Sequence, residues 1–312
     1  GIVRLLQEEG YVHLSCGDSC GVGSAKKVME GTGMDQMLED YGVAIVDFNE
    51  GSTVSYPQGH TAKEFFLAKP VQETDALINL CKMKTHALER VTGGVKNLYG
   101  CISGLHKAKG HTKYTNADIF ARQLIDLNQL IKPRFCVMDG IVAMDGNGPT
   151  SGDPVKMKVL LLGNDPVAID SVYCHLVHLD PQMVPTNVHG ETMGLGTWRE
   201  ENIRLLTDGG EITMQEAVER FGNPDFNVDR KKQRGNLWNR FNNGFLRYFQ
   251  KKPYIEEDKC KKCGICVEAC PVEGKALQFK NGRRKPPVYN YHKCIRCFCC
   301  QEMCPHKAIQ VK

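Results

Sequence analysis

Two cysteine runs near the C-terminus constrain this chain more than any other feature. The first is Cys260-x2-Cys263-x2-Cys266-x3-Cys270-Pro271. The second is Cys294-x2-Cys297-x2-Cys300-x3-Cys304-Pro305. Three cysteines at this interval wrap a tight loop around one four-iron cube and bring thiolates to three of its irons. The fourth opens a short helix that points away, so it reaches the other cube. The spacing therefore predicts two 4Fe–4S clusters. One is held by Cys260, Cys263, Cys266 and Cys304, the other by Cys294, Cys297, Cys300 and Cys270. Zinc is the competing reading, but zinc sites usually draw four ligands from two separated CxxC pairs. Two identical runs, each closed by proline, fit iron–sulfur chemistry better. The runs also form an internal repeat, because each is followed by a similar segment, KALQF (275–279) and KAIQV (307–311). Cys299 is out of register with the motif. It reads as a small buried apolar residue beside a cluster, with a substitute ligand as the alternative.

Nine of the 15 cysteines lie between Cys260 and Cys304. The rest, including Cys16 and Cys20, are scattered and read as structural. A short secreted scaffold would be evenly stapled by disulfides, so this pattern points to a metal module joined to a domain of a reduced, cytoplasmic compartment. With 41% hydrophobic and 24% charged residues the composition is that of a globular protein. No apolar run approaches the ~18 residues of a membrane span, and no signal peptide is visible. Residues 229–312 carry 20 Lys and Arg against 7 Asp and Glu, whereas residues 1–228 carry 20 against 29. Each oxidised cube with four thiolates holds about −2 and offsets part of the basic excess. The remainder suits steering of an acidic protein partner better than binding of nucleic acid.

Upstream, strand and helix signals alternate. Strands are expected over 11–16, 42–48, 76–84, 134–144, 156–164 and 202–209. Helices are expected over 24–40, 87–102, 116–131, with Asn116 as N-cap, and 165–179. Alternation implies βαβ units, and near-continuous apolar strands such as VLLLG fit a sheet covered on both faces. The fold class is thus α/β: a mainly parallel sheet with helices on both faces, plus a small C-terminal α+β ferredoxin-like domain. The boundaries are 1–222 for the α/β domain, 223–252 for a linker and 253–312 for the cluster module. The linker carries an amphipathic helix with Leu237, Phe241, Phe245 and Tyr248 on one face. It reads as packing against a domain rather than lying on a membrane. The opening GIVRLLQEEG reads like the end of a helix already under way.

Polar signatures fall just past the strands of the α/β domain, where ligands bind in open α/β sheets. Lys82, Lys84 and His86, then Asp145 and Asn147, then Asp165 are the candidate ligand-binding residues. They are expected to converge at one sheet edge on a small anionic ligand, unless the acids neutralise the lysines internally. Gly21-x-Gly23 lacks the third glycine of a dinucleotide fingerprint. His86, His106 and His111 read as solvated loop histidines rather than metal ligands.

Four stretches carry a resemblance: CGDSCGVGSAKK (16–27), KMKTHALERVTGGVKNLYGCI (82–102), DGIVAMDGNGPTSGDP (139–154) and GNDPVAIDSV (163–172). They resemble the family catalogued as domain of unknown function 362, whose members often carry a two-cluster ferredoxin module at the C-terminus. The resemblance implies this architecture and these clusters, and it implies an N-terminal strand ahead of Gly1. It implies no substrate. The expected function is electron transfer through two 4Fe–4S clusters to or from a redox protein, acidic or a flavoprotein. The alternatives are a cluster-dependent reductase of a small anionic ligand, and a non-enzymatic subunit of a larger redox complex.

Overall fold

A computed structural model describes residues 1–19, 25–103, 106–114, 116–231, 251–280 and 282–312. Cys20, Gly21, Gly23, the His111 side chain and the aromatic face of Leu237, Phe241, Phe245 and Tyr248 lie outside the described residues. The chain opens with α1 (Ile2–Glu8) and a parallel strand pair, β1 (Ser15–Asp18) and β2 (Ala44–Asp47). Between them run α2 (Ala25–Thr32) and α3 (Met34–Asp40). The single helix expected over 24–40 divides at Gly33, whose left-handed backbone (φ 70) suits glycine. A hairpin of β3 (Gly51–Ser55) and β4 (Glu64–Ala68) follows, then α4 (Lys69–Glu73).

The central sheet is built on β5 (Ile78–His86). The strand β6 (Arg90–Thr92) folds back on it, and β7 (Phe135–Asp145) runs parallel to it, in register from Ile78↔Phe135 to Lys82↔Asp139. The crossover holds α5 (Gly94–Asn97), α6 (His106–Lys113) and α7 (Ala117–Ile131). Asn116 caps α7 as expected, its side chain accepting the Ile119 N–H at 2.8 Å. The helix expected over 87–102 gives way to a turn, β6 and the short α5. The cause lies far along the chain: the buried Asp170 carboxylate accepts the N–H groups of Gly94 (2.5 Å) and Val95 (3.1 Å) and sets where α5 begins.

After β7 the chain returns without a crossover helix. Both β8 (Asp153–Val155) and β9 (Val159–Gly163) pair antiparallel with β7. This corrects the mainly parallel sheet: within it only β5 and β7 are parallel. Helix α8 (Pro166–Leu176) and α5 cover one face, where Met83, Cys136, Met138 and Tyr173 are buried. The opposite face exposes Leu80, Leu160 and Leu162 by about half of their surface. Among the described residues helices therefore cover one face, not two, because hairpin returns supply no helix for the other. Next come α9 (Pro185–Thr192), a hairpin of β10 (Leu205–Thr207) and β11 (Gly210–Ile212), and α10 (Met214–Phe221). The last strand expected over 202–209 is thus one arm of a separate hairpin. Phe226 returns the chain to the core edge-on to Tyr173.

The C-terminal module has two antiparallel ribbons. One pairs β12 (Pro253–Ile255) with β15 (Ile309–Val311), the other β13 (Leu277–Gln278) with β14 (Val288–Tyr289). Two one-turn helices, α11 (Ile265–Glu268) and α12 (Cys299–Glu302), fall inside the cysteine runs. No helix among the described residues is long and apolar enough to cross a membrane.

Candidate cluster sites and their docking face

Each cysteine run bends through two left-handed residues at equivalent places, Lys262 and Gly264 in the first and Arg296 and Phe298 in the second. These bends curl each run around a cavity. The first cavity has about 340 Å³ of space free of protein atoms, partly open to solvent, and Cys260, Cys263, Cys266 and Cys304 are in its wall. The second has about 320 Å³, with Cys270, Cys294, Cys297 and Cys300 in its wall. Near-equal volumes match the internal repeat. Each wall draws three cysteines from one run and the last cysteine of the other. The last cysteine of each run also accepts a backbone N–H at its sulfur, Cys270 from Ala276 (3.3 Å) and Cys304 from Ala308 (3.4 Å). Among the described residues no three His, Cys, Asp or Glu side chains gather closely enough to chelate a single ion. Four sulfurs spread around a cavity fit a cube with an iron at each corner, and they do not fit one zinc ion.

The module is docked on the ends of β5 and β7 through α12 and β15. Gln301 is fully buried, and its Nε2 donates to Asn147 O (2.9 Å), Gly148 O (3.0 Å) and Asn147 Oδ1 (3.1 Å). Asn147 Nδ2 donates to Ile309 O (3.0 Å), Thr150 Oγ1 to Glu302 O (2.7 Å) and Lys307 Nζ to Gly152 O (3.0 Å). The loop that makes these contacts, 145–152, requires its glycines. Gly146 is left-handed (φ 69), and a Cβ on Gly148 would stand 2.3 Å from Thr85 O. His86 completes the face. Its Nδ1 accepts the N–H groups of Leu88 and Glu89 at 3.1 Å each, so the proton sits on Nε2. That Nε2 lies 3.0 Å from Glu302 Oε1, close enough for an ion pair but off the line of a good hydrogen bond. Burial and then Lys96 push the His86 pKa down, while Glu302 opposes them.

The other candidate ligand residues separate into three groups. Lys82 is half-exposed on the open sheet face and pairs with Asp139 across the strands at 2.5 Å. Lys84, two residues on, shares its side of the strand but has no such partner. Its ammonium pKa is lowered, first by burial and then, against Asp18, by Lys96 and Lys82. Asp145 is buried and accepts the Asn227 N–H at 2.8 Å, which ties down residues 224–228. Asp165 lies at the other end of the sheet, because β9 runs antiparallel to β7. There it caps α8 by accepting from Val167 and Ala168, and it also accepts from Thr197. A cleft with about 990 Å³ of space free of protein atoms, widely open to solvent, lies beside it, lined by Tyr56, Asn128, Gln129, Lys132 and Asn164. That cleft is the roomier one, but it is remote from the cluster module. Sequence reasoning singled out neither Glu89 nor Lys96, both inside the stretch read as a helix, nor Gln301 and Glu302 between two expected ligands. His106 stacks on Phe66 with ring centroids 3.8 Å apart.

Residues 1–175 match the family described as domain of unknown function (DUF362), and residues 252–305 match the 4Fe–4S dicluster domain. The chain belongs to the DUF362 family. It is 35% identical over 214 residues to a thylakoid-associated protein of Synechocystis, an alignment covering 68% of this chain and 66% of that relative. The chain therefore spans just under two thirds of the relative's length. The DUF362 match takes in β5, β7 and the docking loop, and the dicluster match takes in both cysteine runs. Cys299 stands where this DUF362 member brings the two together. Its buried thiol lies against Cys297, and the buried Tyr99 hydroxyl of the α/β domain is held within electrostatic range of Cys299 and Glu302.

Proposed function

We propose that this protein transfers electrons through two 4Fe–4S clusters, and that the crossed cysteine quartets are their ligands. The observation that carries the reading is the pair of near-equal cavities, each walled by four cysteines in the expected combination. When bound, such clusters accept and release single electrons. The chain's own residues hold the thiolates, donate backbone N–H groups to sulfur, and exclude water with Ile255, Leu277, Ile309 and Phe298. The Lys- and Arg-rich character of residues 229–312 suits an acidic redox partner or a flavoprotein acceptor. Anaerobically purified protein is expected to contain about eight iron and eight sulfide per chain. A firm count near four, with both runs intact, would sink the two-cluster reading.

A second reading is favoured by the docking. Gln301 and Glu302 follow Cys300 directly, and they bind Asn147, Gly148 and His86 at one end of the central sheet. A module that served only an external partner would gain nothing from aiming a cluster-bearing helix at strand ends. In this reading the α/β domain holds the electron acceptor or donor, and the protein is a cluster-dependent reductase. Pre-reduced protein mixed with acceptor in a stopped-flow instrument distinguishes the two. A reductase transfers electrons to a small molecule with no second protein present, and a pure carrier does not.

A further inference from the structure

The two cysteine runs repeat at an interval of 34 positions, from Cys260 to Cys294, so residues around the first quartet have counterparts around the second. The ribbons keep this correspondence. Ile255 pairs with Ile309, and its counterpart Tyr289 pairs with Leu277. Ile255 is in the wall of the first cavity and Tyr289 in the wall of the second. Isoleucine offers its cavity no donor. Tyr289 is part-buried, and its hydroxyl lies 3.2 Å from Cys300 Sγ. A cysteine bound to iron is a thiolate with no proton to give, so in the loaded protein the tyrosine donates and the sulfur accepts. The ring is held in place. It stacks on Tyr291 with centroids 5.4 Å apart and planes 14° from parallel, and Tyr291 in turn donates to Pro253 O at 2.8 Å. Among the described residues no side chain donates to a sulfur of the first quartet, where Cys304 accepts from the backbone of Ala308.

The rest of the surroundings bias the two quartets the other way. One electron taken from a redox partner carries a cube and its four thiolates from about −2 to about −3, with no proton moved. Burial penalises the added charge. In the second quartet Cys270, Cys294 and Cys300 are buried, whereas in the first only Cys266 is. The first wall also holds Lys261 and Lys262, whose ammonium groups favour added negative charge. In the second wall Ile295 takes the place of Lys261, and the counterpart of Lys262, Arg296, does not line it. Both differences make the second cluster the harder one to reduce. A hydrogen bond to a ligand sulfur acts in the opposite sense, because the donor stabilises the more negative state. Tyr289 applies that bond to the quartet whose Cys300 directly precedes the docking residues Gln301 and Glu302.

We propose that Tyr289 is a positioning residue for electron transfer: by donating to Cys300 it raises the reduction potential of the second cluster and keeps that cluster within reach of an electron held by the first. The inference rests on the electron-transfer reading but not on crossed ligation, since Cys300 sits with Cys294 and Cys297 whichever cluster takes Cys270 and Cys304. The test is a redox titration of the full chain with its clusters reconstituted, followed by electron paramagnetic resonance. The parent is expected to show two one-electron midpoints. Tyr289→Phe removes only the hydroxyl. It is expected to disfavour reduction of one cluster about three- to tenfold, a fall of about 30–60 mV in one midpoint, and to leave the other within about twofold. Tyr291→Phe loses the neighbouring hydroxyl, which is bonded to a carbonyl and not to sulfur, and is expected to leave both midpoints within about twofold. Iron and sulfide content equal to the parent certifies that each variant holds its clusters. Unchanged midpoints in Tyr289→Phe, or an equal fall of both, overturns the proposal and leaves the electron-transfer reading standing. A parent with about four iron and a single midpoint, still lowered in Tyr289→Phe, sinks the two-cluster reading and keeps the action of Tyr289 on its cluster.

Discussion

The two halves of the molecule encode their chemistry by different means. The cluster module has almost no core. One small group surrounds Leu277 and Ile309, another Ala276 and Cys270, and its ribbons are two or three residues long. Its specification lies in spacing, because cysteine intervals and a few left-handed residues decide where each sulfur goes. The α/β domain has two broad cores, around Tyr173 and around Phe120. Its candidate chemistry lies in topology, since His86 and Asn147 reach the cluster module together only because β5 and β7 run parallel and end at one place. Spacing can be read residue by residue, and topology cannot. The comparison breaks most sharply at Cys304. If the module depends on its ligands for stability, Cys304→Ala should remove the cluster held by Cys260, Cys263 and Cys266 and roughly halve the iron per chain. Iron assay and electron paramagnetic resonance after dithionite reduction check this. Loss of the cluster bound by Cys294, Cys297 and Cys300 instead would refute the crossed ligation.

The α/β domain, by contrast, should carry its stability in burial and respond to pH through groups that no cluster touches. Glu89 has an ordinary pKa of 4.5 when unfolded and is pushed up to about 8 by burial. The native state then holds a proton that the unfolded chain has released. Stability is thus complete below about pH 4.5 and is lost progressively up to about pH 8, by roughly 3–5 kcal/mol in all. Asp170 works in the same direction, but burial pushes it only to about 7. In urea unfolding of the α/β domain between pH 6 and 9, Glu89→Gln should flatten the slope, most distinctly between pH 7 and 8, where Asp170 contributes least. An unchanged slope would mean that Glu89 is charged in the folded protein.

What was legible before the structure divides along the same line. The cysteine runs return as the walls of two cavities. Helices α7 and α8 begin within a residue of their expected starts, because Asn116 and the Asp165-Pro166 pair are local signals. The turn back into β8 and β9 was not legible. VLLLG is an apolar run whether or not something covers Leu160 and Leu162, and nothing within it reveals strand direction. The helix expected over 87–102 was lost to Asp170, 76 positions beyond Gly94, and no local pattern reports so distant an acceptor. Lys96 and Glu89 were hidden by the same error, since charged residues in an assumed surface helix attract no attention. Asp165 shows the converse. It follows a strand as the ligand reading requires, but that strand runs the other way.

Between the two halves lies the docking face, where a moderate effect is expected. Asn147→Ala removes the bond to Ile309 O and one of the acceptors of Gln301, while leaving the cysteines untouched. Loss of these buried contacts should weaken docking by about 1–3 kcal/mol. Hydrogen exchange at Ile309 and Gln301 should speed up accordingly, with iron content unchanged. If iron is lost as well, cluster retention and docking are one cooperative event, and the separation drawn between spacing and topology fails at this face.

The smallest expected effect lies at the exposed start of α7. Asn116 is exposed, and its side chain does one visible thing: it accepts the Ile119 N–H at the start of α7. That helix buries Phe120, Leu124 and Leu127 in the core beneath α5. Asn116→Ala leaves a helix-terminal donor to solvent and should cost about 1 kcal/mol. Because α7 is long and its buried face is unaltered, the helix should persist, and the loss should appear as a lower urea midpoint for the α/β domain with an unchanged m-value. Iron and sulfide content, and the spectra of the reduced clusters, should match the parent. If so small a change at the far end of the core altered the cluster spectra, α7 would be coupled through Tyr99 and Phe120, whose rings meet edge to face at 5.1 Å, to Cys299 and the second quartet. The α/β domain would then tune the clusters.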